Sequence, residues 1–183
     1  MSTHTGSDPL VLVEACEAHV EAYLDFVREC LPVEDNPFMR RRFQEWLRHP
    51  PAALARERDY AHGRNLSDGF VPETIYWLVR DGERVLARSS LRHQLTPHLE
   101  REGGHIGYSV RPSERGKGYG TAVCRLTLAR ARALGLRRVL ITCDADNAAS
   151  ARIIEKNGGV LEDQRRSVQT GKMKRRYWVK LET

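Results

Sequence analysis

The chain has 183 residues, of which 40% are hydrophobic and 30% charged, and its formal net charge at pH 7 is +6. This length is typical of one compact domain, so we expect a single domain over residues 1–183, with a flexible polar tail at residues 1–8. No apolar stretch approaches the roughly 20 residues that a membrane-spanning helix needs, and the first residues lack the pattern of a secretory signal. These properties exclude a membrane-spanning protein and predict no membrane partner.

The cysteines and the charge distribution narrow the class of ligand. The four cysteines show no C-x-x-C pair and no metal-ligand grouping with histidine, so we expect reduced thiols, no metal and a cytoplasmic location. The positive charge is scattered along the chain, which argues against a dedicated nucleic-acid arm. A net positive charge suits a polyanionic ligand, although charged side chains on a solvated surface are the simpler explanation.

The N-terminal part predicts one strand followed by helices. Residues 10–13 form a short apolar run suited to a strand. Val20, Leu24 and Val27 then recur at helical spacing, and residues 38–47 repeat the pattern until a Pro-Pro pair stops it. The polar segment that follows has room for one further short helix before a loop.

The middle of the chain changes to strands. Residues 75–79 and 84–87 flank Asp81-Gly82, a two-residue type I′ turn signal, and predict a β-hairpin. Polar residues separate this hairpin from a third predicted strand at residues 105–110, which leads directly into a glycine-rich segment. A helix closed by Gly135 follows.

The last part predicts a second strand–helix unit and a terminal hairpin. The strand at residues 139–142 should run parallel to the strand before the glycine-rich segment, because a helix separates the two. Asn147 can cap the next helix, and a hairpin around Thr170-Gly171 completes the chain. The fold class is therefore predicted as α/β, a single domain with a mixed sheet and helices on both faces.

The glycine-rich segment suits an anion. A pyrophosphate needs several converging backbone N–H groups, which requires glycine where a side chain would block approach, and a helix N-terminus adds positive potential. The segment combines glycines, flanking cations and a hydroxyl in the first turn of the helix, namely Arg115, Gly116, Lys117, Gly118, Gly120 and Thr121.

Other glycine-rich loops fit less well. A Walker loop needs Gly-Lys-Ser/Thr, which does not occur, and a dinucleotide fingerprint needs a third glycine after Gly118 and Gly120 and an acidic residue about 20 positions on. A glycine turn that only connects strand to helix remains the alternative.

Two motifs resemble the GNAT superfamily of N-acetyltransferases. Arg115-x-x-Gly118-x-Gly120 matches the acyl-CoA signature [RQ]-x-x-G-x-[GA] between a strand and a helix, and residues 147–159 are similar to the N-x-x-S/A-…-E-K-x-G-F segment. The resemblance covers residues 104–161 closely, and it implies a mostly antiparallel sheet with a splayed parallel central pair. It also implies acetyl-CoA as co-substrate, with residues 104–161 as the acyl-CoA-binding core.

The resemblance further implies which residues contact the donor. The end of the strand at Val110 would offer backbone groups to the pantetheine arm, and the glycine-rich segment would hold the pyrophosphate. The expected cofactor-binding residues are Tyr108, Val110, Arg115, Gly116, Lys117, Gly118, Gly120, Thr121, Asn147 and Ser150.

The catalytic residues are predicted from the chemistry of amide formation. An ammonium must lose a proton before it attacks, and the thiolate that leaves must gain one. We predict His105 as the base, because it lies on the strand that leads to the glycine-rich segment. Many relatives carry a tyrosine acid where this chain has Ile154, which leaves Ser150, Cys143 or an ordered water as proton donor. Ser150 is our predicted catalytic acid.

The sequence does not identify the acceptor of the acyl group. The leading hypothesis is a small-molecule amine, and the alternative is a peptide or protein N-terminus or lysine. A noncatalytic acyl-CoA sensor or a basic RNA-binding module is the alternative of another class, and a homodimer is left open. Candidates to line the acceptor pocket are Trp46, Arg92, His93, Glu100 and Glu102.

Overall fold

A computed structural model describes residues 10–181. The predicted flexible tail at residues 1–8 lies outside these residues. These residues contain seven strands and six α-helices, and short 3₁₀ turns occupy Glu17–His19, Leu31–Val33 and Pro112–Glu114. The strands are β1 (Leu10–Glu14), β2 (Glu73–Arg80), β3 (Arg84–Arg92), β4 (Ile106–Val110), β5 (Arg138–Asp144), β6 (Gly159–Arg166) and β7 (Met173–Lys180). The helices are α1 (Val20–Cys30), α2 (Pro37–Arg48), α3 (Pro50–Ala61), α4 (Pro97–Glu102), α5 (Tyr119–Ala133) and α6 (Ala148–Lys156).

The strands form one mixed sheet in the order β1-β2-β3-β4-β5-β7-β6. Within it β4 and β5 are parallel and the other neighbours are antiparallel. The parallel pair is in register at Ile106 and Ile141, near the start of β4. Beyond that point β4 continues beside β3, and the gap between β4 and β5 is where the candidate site lies.

Each face of the sheet carries its own apolar core. On one face α1, α2 and α3 cover the sheet, and the ring of Tyr23 stacks on Trp77 at 4.4 Å and meets Trp46 edge-on at 4.9 Å. On the other face α5 and α6 bury Val123 and Ile154 against the strands. The prediction of an α/β fold with a mixed sheet and helices on both faces is confirmed. The single-domain assignment stays a prediction.

Two helices are longer or better formed than the sequence indicates. The Pro-Pro pair that ends α2 also begins α3, because proline lacks an N–H that the first turn of a helix would leave unbonded anyway. Proline also opens α4, which Thr96 caps by accepting a hydrogen bond from the Leu99 N–H.

The predicted hairpin between β2 and β3 is present, but its loop is three residues long rather than two. Arg80 pairs with Arg84, and the turn between them places Asp81 and Gly82 at φ values of 55° and 72°. Both positive φ angles are those of the predicted type I′ turn, and Glu83 is the additional residue. Within residues 10–181, no helix combines the length and the apolar character needed to cross a membrane.

Candidate active site

The end of β4 opens into a cavity of about 680 Å³. Its walls are the glycine-rich segment, the first turn of α5, one side of α6 from Ala149 to Lys156, and the segment that follows α1, which contributes Val33 and Glu34. The cavity at the end of β4 therefore brings a helix N-terminus together with side chains from both faces of the sheet.

The glycine-rich segment forms an open anion cradle. Gly116 and Gly118 have φ values of 77° and 87°, a region in which a side chain is strained, and a Cβ at either position would meet open space. The first helical bond of α5 runs from the Ala122 N–H to the Gly118 carbonyl, so the preceding N–H groups make no bond within the helix. No side chain in residues 10–181 caps this end of α5. These amides are free to bind an anion.

Gly120 has a different reason to be glycine. A Cβ built there would lie 2.6 Å from Cδ1 of Ile153, so α5 and α6 could not approach as closely with any larger residue. The close approach brings the N-terminus of α5 next to α6 on one wall of the cavity.

Three cations line the cavity without an ion-pair partner in the described part of the chain: Arg115, Arg152 and Lys156. Two carboxylates line the same cavity: Glu114 is bound to Lys117 at 3.0 Å and to Arg84 at 3.2 Å, and Glu34 has no ion-pair partner among the described residues, so three unpaired cations face one unpaired carboxylate. The uncompensated charge is therefore positive, as a polyphosphate ligand requires.

The structure brings nine of the ten predicted donor-binding residues to this one cavity. Lys117 does not line it, because its ammonium group turns to Glu114. Asn147 lines the cavity but its Oδ1 also caps α6 by accepting the Ser150 N–H at 3.0 Å, which leaves its amide NH₂ for a ligand.

A pair of hydroxyl groups lies in the wall of the cavity. The hydroxyl of Tyr108 on β4 and Oγ of Ser150 on α6 are 2.8 Å apart, and both side chains are half-buried. Burial raises the pKa of Tyr108, and the hydrogen bond with Ser150 only partly offsets it. The phenol therefore stays protonated at neutral pH and can return a proton to the Ser150 hydroxyl. Ile154, at the position of the usual tyrosine, is fully buried in the core.

His105 occupies a different environment from the one we predicted. The ring nitrogen Nδ1 of His105 accepts a hydrogen bond from the main-chain N–H of Leu140 at 3.0 Å, and the main-chain N–H of His105 donates to the carbonyl of Leu140 at 2.7 Å. His105 therefore ties the start of β4 to β5. It lines neither this cavity nor the second one described below. Burial and the nearby charges of Arg92 and Arg138 lower its pKa to about 4. The base role stays a prediction, and this geometry favours a structural role.

The structural role of His105 predicts a specific pH dependence. Between pH 6.5 and about 4 the unfolded chain binds a proton at this residue and the native chain does not, so the free energy of unfolding falls as the pH is lowered. We expect a loss of about 2–3 kcal/mol from this residue across that window. His105→Asn keeps an acceptor for the Leu140 N–H but does not titrate, so its free energy of unfolding should fall much less over the same pH range.

Urea unfolding at a series of pH values measures this free energy. His98→Asn, at an exposed histidine, is the control and should keep the pH dependence of the wild type. Parallel pH profiles for the wild type and His105→Asn would contradict the prediction.

A second cavity of about 310 Å³ opens on the side of β4 that faces α2. It shares Glu34, Tyr108 and Ser109 with the first cavity, so the two meet at the middle of β4. Of the residues predicted to line an acceptor pocket, Arg92 and Glu102 do so, whereas Trp46, His93 and Glu100 lie elsewhere. One cavity thus suits a long polyanion and the other a small polar molecule.

A family model described as the acetyltransferase (GNAT) domain matches residues 10–160. The chain belongs to this family. It is an N-acetyltransferase that uses acetyl-CoA, and the open amides and cations of the 680 Å³ cavity fit the phosphates of that donor. Its acceptor is an amine.

Solved structures share the fold of this acetyltransferase. A ribosomal L7/L12 α-N-protein acetyltransferase in complex with coenzyme A is 22% identical, with 96% of each chain covered and a TM-score of 0.66. The acetyltransferase of Salmonella typhimurium that modifies the N-terminal serine of L7/L12 is 19% identical, with 97% of each chain covered and a TM-score of 0.63. A spermidine N-acetyltransferase chimera from Vibrio cholerae and hSSAT is 14% identical, covering 93% of this chain and 95% of that one, with a TM-score of 0.64. No curated protein matches the sequence.

Several residues that line the two cavities were not predicted from the sequence. Arg152 and Lys156 are four residues apart on α6, a spacing that places them on one helix face and could have been recognised. Glu34 and Arg88 carry no local signal, because only the packing of α2 over the sheet brings them beside β4.

Proposed function

We propose that this acetyltransferase transfers the acetyl group of acetyl-CoA to the primary amine of a small molecule. The observation that carries the proposal is the second cavity, which reaches β4 from the opposite side and has room for a small acceptor. An acceptor there and a donor in the first cavity would meet beside Tyr108 and Ser109.

The donor is held by groups on the chain itself. The free amides at the start of α5 and the cation Arg115 would bind the pyrophosphate, and Arg152 and Lys156 would face the remaining phosphate. When bound, acetyl-CoA supplies the activated acyl group. The edge of β4 near Val110 would then align the pantetheine arm and offer a main-chain N–H to the oxyanion.

The acceptor must arrive at the acyl carbon as a neutral amine. Glu34 is the carboxylate that lines both cavities, and within residues 10–181 it has no ion-pair partner; its Oε1 accepts only the Asn36 N–H at 2.9 Å. It is the group placed to receive the proton of the ammonium, directly or through a water. The nitrogen then attacks the carbonyl carbon to form a tetrahedral intermediate.

Collapse of this intermediate would break the carbon–sulfur bond and release a thiolate. Oγ–H of Ser150 would protonate the thiolate, and the Tyr108 hydroxyl, 2.8 Å away, would replace that proton. The second proton, which the nitrogen loses as the amide forms, would return through solvent to Tyr108 and restore its hydroxyl. The products are the N-acetylated amine and coenzyme A with a free thiol. The pair thus takes over the task that a tyrosine at the position of Ile154 performs in many relatives.

The proposal is tested by incubating the protein with acetyl-CoA and a panel of small amines and peptides while free thiol is measured. Wild type should release thiol with a small amine, and Glu34→Gln should lower kcat/KM by roughly 10²-fold while CoA affinity is unchanged. Faster turnover of peptides than of small amines would favour the peptide alternative. Tight CoA binding without turnover on any acceptor would indicate a sensor and overturn the proposal.

A further inference from the structure

The buried arginines among the described residues differ in whether they form an ion pair with a carboxylate. Among residues 10–181 four arginines are buried, with exposed fractions of 2–9%. Three have carboxylate partners: Arg42 pairs with Glu57 at 3.2 Å, Arg111 with Glu29 at 3.1 Å, and Arg176 with Glu162 at 2.7 Å. The fourth is Arg88, 5% exposed, which forms no ion pair with any described residue.

The guanidinium of Arg88 lacks strong hydrogen-bond partners as well. Its Nη1 donates to the thioether sulfur of Met39 at 3.5 Å, a weak acceptor, and its Nε has no partner in the described chain. The carboxylates of Glu34, Glu57 and Glu73 act on Arg88 only from beyond ion-pair distance. These carboxylates compensate the charge from a distance and hold the pKa of Arg88 above its usual value despite burial, but they leave the guanidinium donors without strong hydrogen-bond acceptors.

Arg88 lines the 310 Å³ cavity proposed to hold the acceptor. It lies on β3 directly opposite Ser109 of β4, where the two cavities meet. The other guanidiniums of this cavity are occupied, since Arg42 is bound to Glu57 and Arg92 to Glu73 at 3.3 Å. Arg88 is therefore the guanidinium whose donors remain for a ligand.

We propose that the acceptor is a small zwitterionic molecule that carries an anionic group, a carboxylate or a phosphonate, in addition to its amine. This inference rests on the proposed function and names its substrate class. The anionic group binds the guanidinium of Arg88, while the ammonium faces Glu34 at the junction of the cavities. A planar guanidinium donates two parallel hydrogen bonds to such an anion.

The same arrangement selects against polycations. An acceptor without an anionic group would place its apolar or cationic end beside Arg88 and leave the guanidinium donors without a hydrogen-bond acceptor. The limited volume of the cavity selects against long chains for a steric reason.

Steady-state kinetics with matched acceptors tests the inference. Each matched pair consists of a primary amine that bears a carboxylate and the same amine with a carboxamide instead of the carboxylate. The analogue with a phosphonate instead of the carboxylate is measured as a third acceptor. Wild type should prefer the anionic member by about 10- to 100-fold in kcat/KM. Arg88→Met should abolish most of this preference while CoA affinity, measured by calorimetry, stays unchanged. Arg88→Lys should retain part of it, because one ammonium cannot form the paired bonds.

Arg132→Met is the matched control, since it removes an equal charge from the exposed end of α5 and should leave the preference intact. Equal kcat/KM for anionic and neutral members in wild type would overturn the inference, and so would an unchanged preference in Arg88→Met. Preferential turnover of peptides over all small zwitterions would overturn it too. Absence of any thiol release would instead count against the proposed function. If Arg88→Met fails to fold by far-UV circular dichroism, the wild-type pairs and Arg88→Lys decide the question.

Discussion

Gly118→Asp should weaken binding of coenzyme A by at least about 10²-fold. Two of its effects act on the same step: a carboxylate enters the cradle where the pyrophosphate would bind, and the positive φ of 87° becomes strained. Because a Cβ at this position meets no other atom, the fold itself should survive. Isothermal titration calorimetry with coenzyme A measures the affinity, and thermal unfolding checks the fold.

Gly135→Asp is the control that separates backbone strain from the effect of a carboxylate in the cradle. Gly135 follows the other end of α5, has φ +91° and also faces open space, so aspartate there imposes a similar backbone strain far from the cradle. It should cost about 1–2 kcal/mol of stability and leave the affinity for coenzyme A unchanged. Equal affinities for Gly118→Asp and wild type would exclude the cradle as the donor site.

Ser150→Ala should lower kcat by roughly 10²-fold with little change in the affinity for coenzyme A, because the hydroxyl acts on the thiolate only as it leaves. Tyr108→Phe keeps the serine and removes the group that polarises it, so we expect a smaller loss of about 10-fold. Pre-steady-state and steady-state thiol release, together with calorimetry, distinguish a loss of turnover from a loss of binding.

The chain contains a matched control for this pair. Tyr60 and Ser67 form the same kind of hydroxyl–hydroxyl contact at 2.9 Å and line neither cavity. Ser67→Ala and Tyr60→Phe should leave kcat within about 2-fold of wild type. A kcat for Ser150→Ala equal to that of Ser67→Ala would remove Ser150 from the proton transfer.

Local sequence patterns were sufficient to predict those parts of the candidate site that depend on a few consecutive residues. Gly116, Gly118 and Asn147 were recognised because a glycine-rich anion loop and a helix cap are properties of a few consecutive residues. The proline-opened helices were harder to predict, since a Pro-Pro pair marks both the end of one helix and the start of another. His105 was assigned to catalysis from its residue type and its place on the strand before the glycine-rich segment, and only the bond from the Leu140 N–H revealed what its ring holds.

The sequence by itself determined where the proposed donor site lies. The strand, glycine loop and helix from Ile106 to Ala133 are continuous in the chain, so the anion cradle and its family resemblance could be identified without a structure. Only the tertiary structure supplied the hydroxyl pair and the cavity that we propose for the acceptor. Tyr108 meets Ser150, and Arg88 faces the cavity beside Glu34, because the sheet and α2 bring together residues more than 40 positions apart. No local pattern records such contacts, since they arise only when burial of the two cores fixes how the helices pack on the sheet.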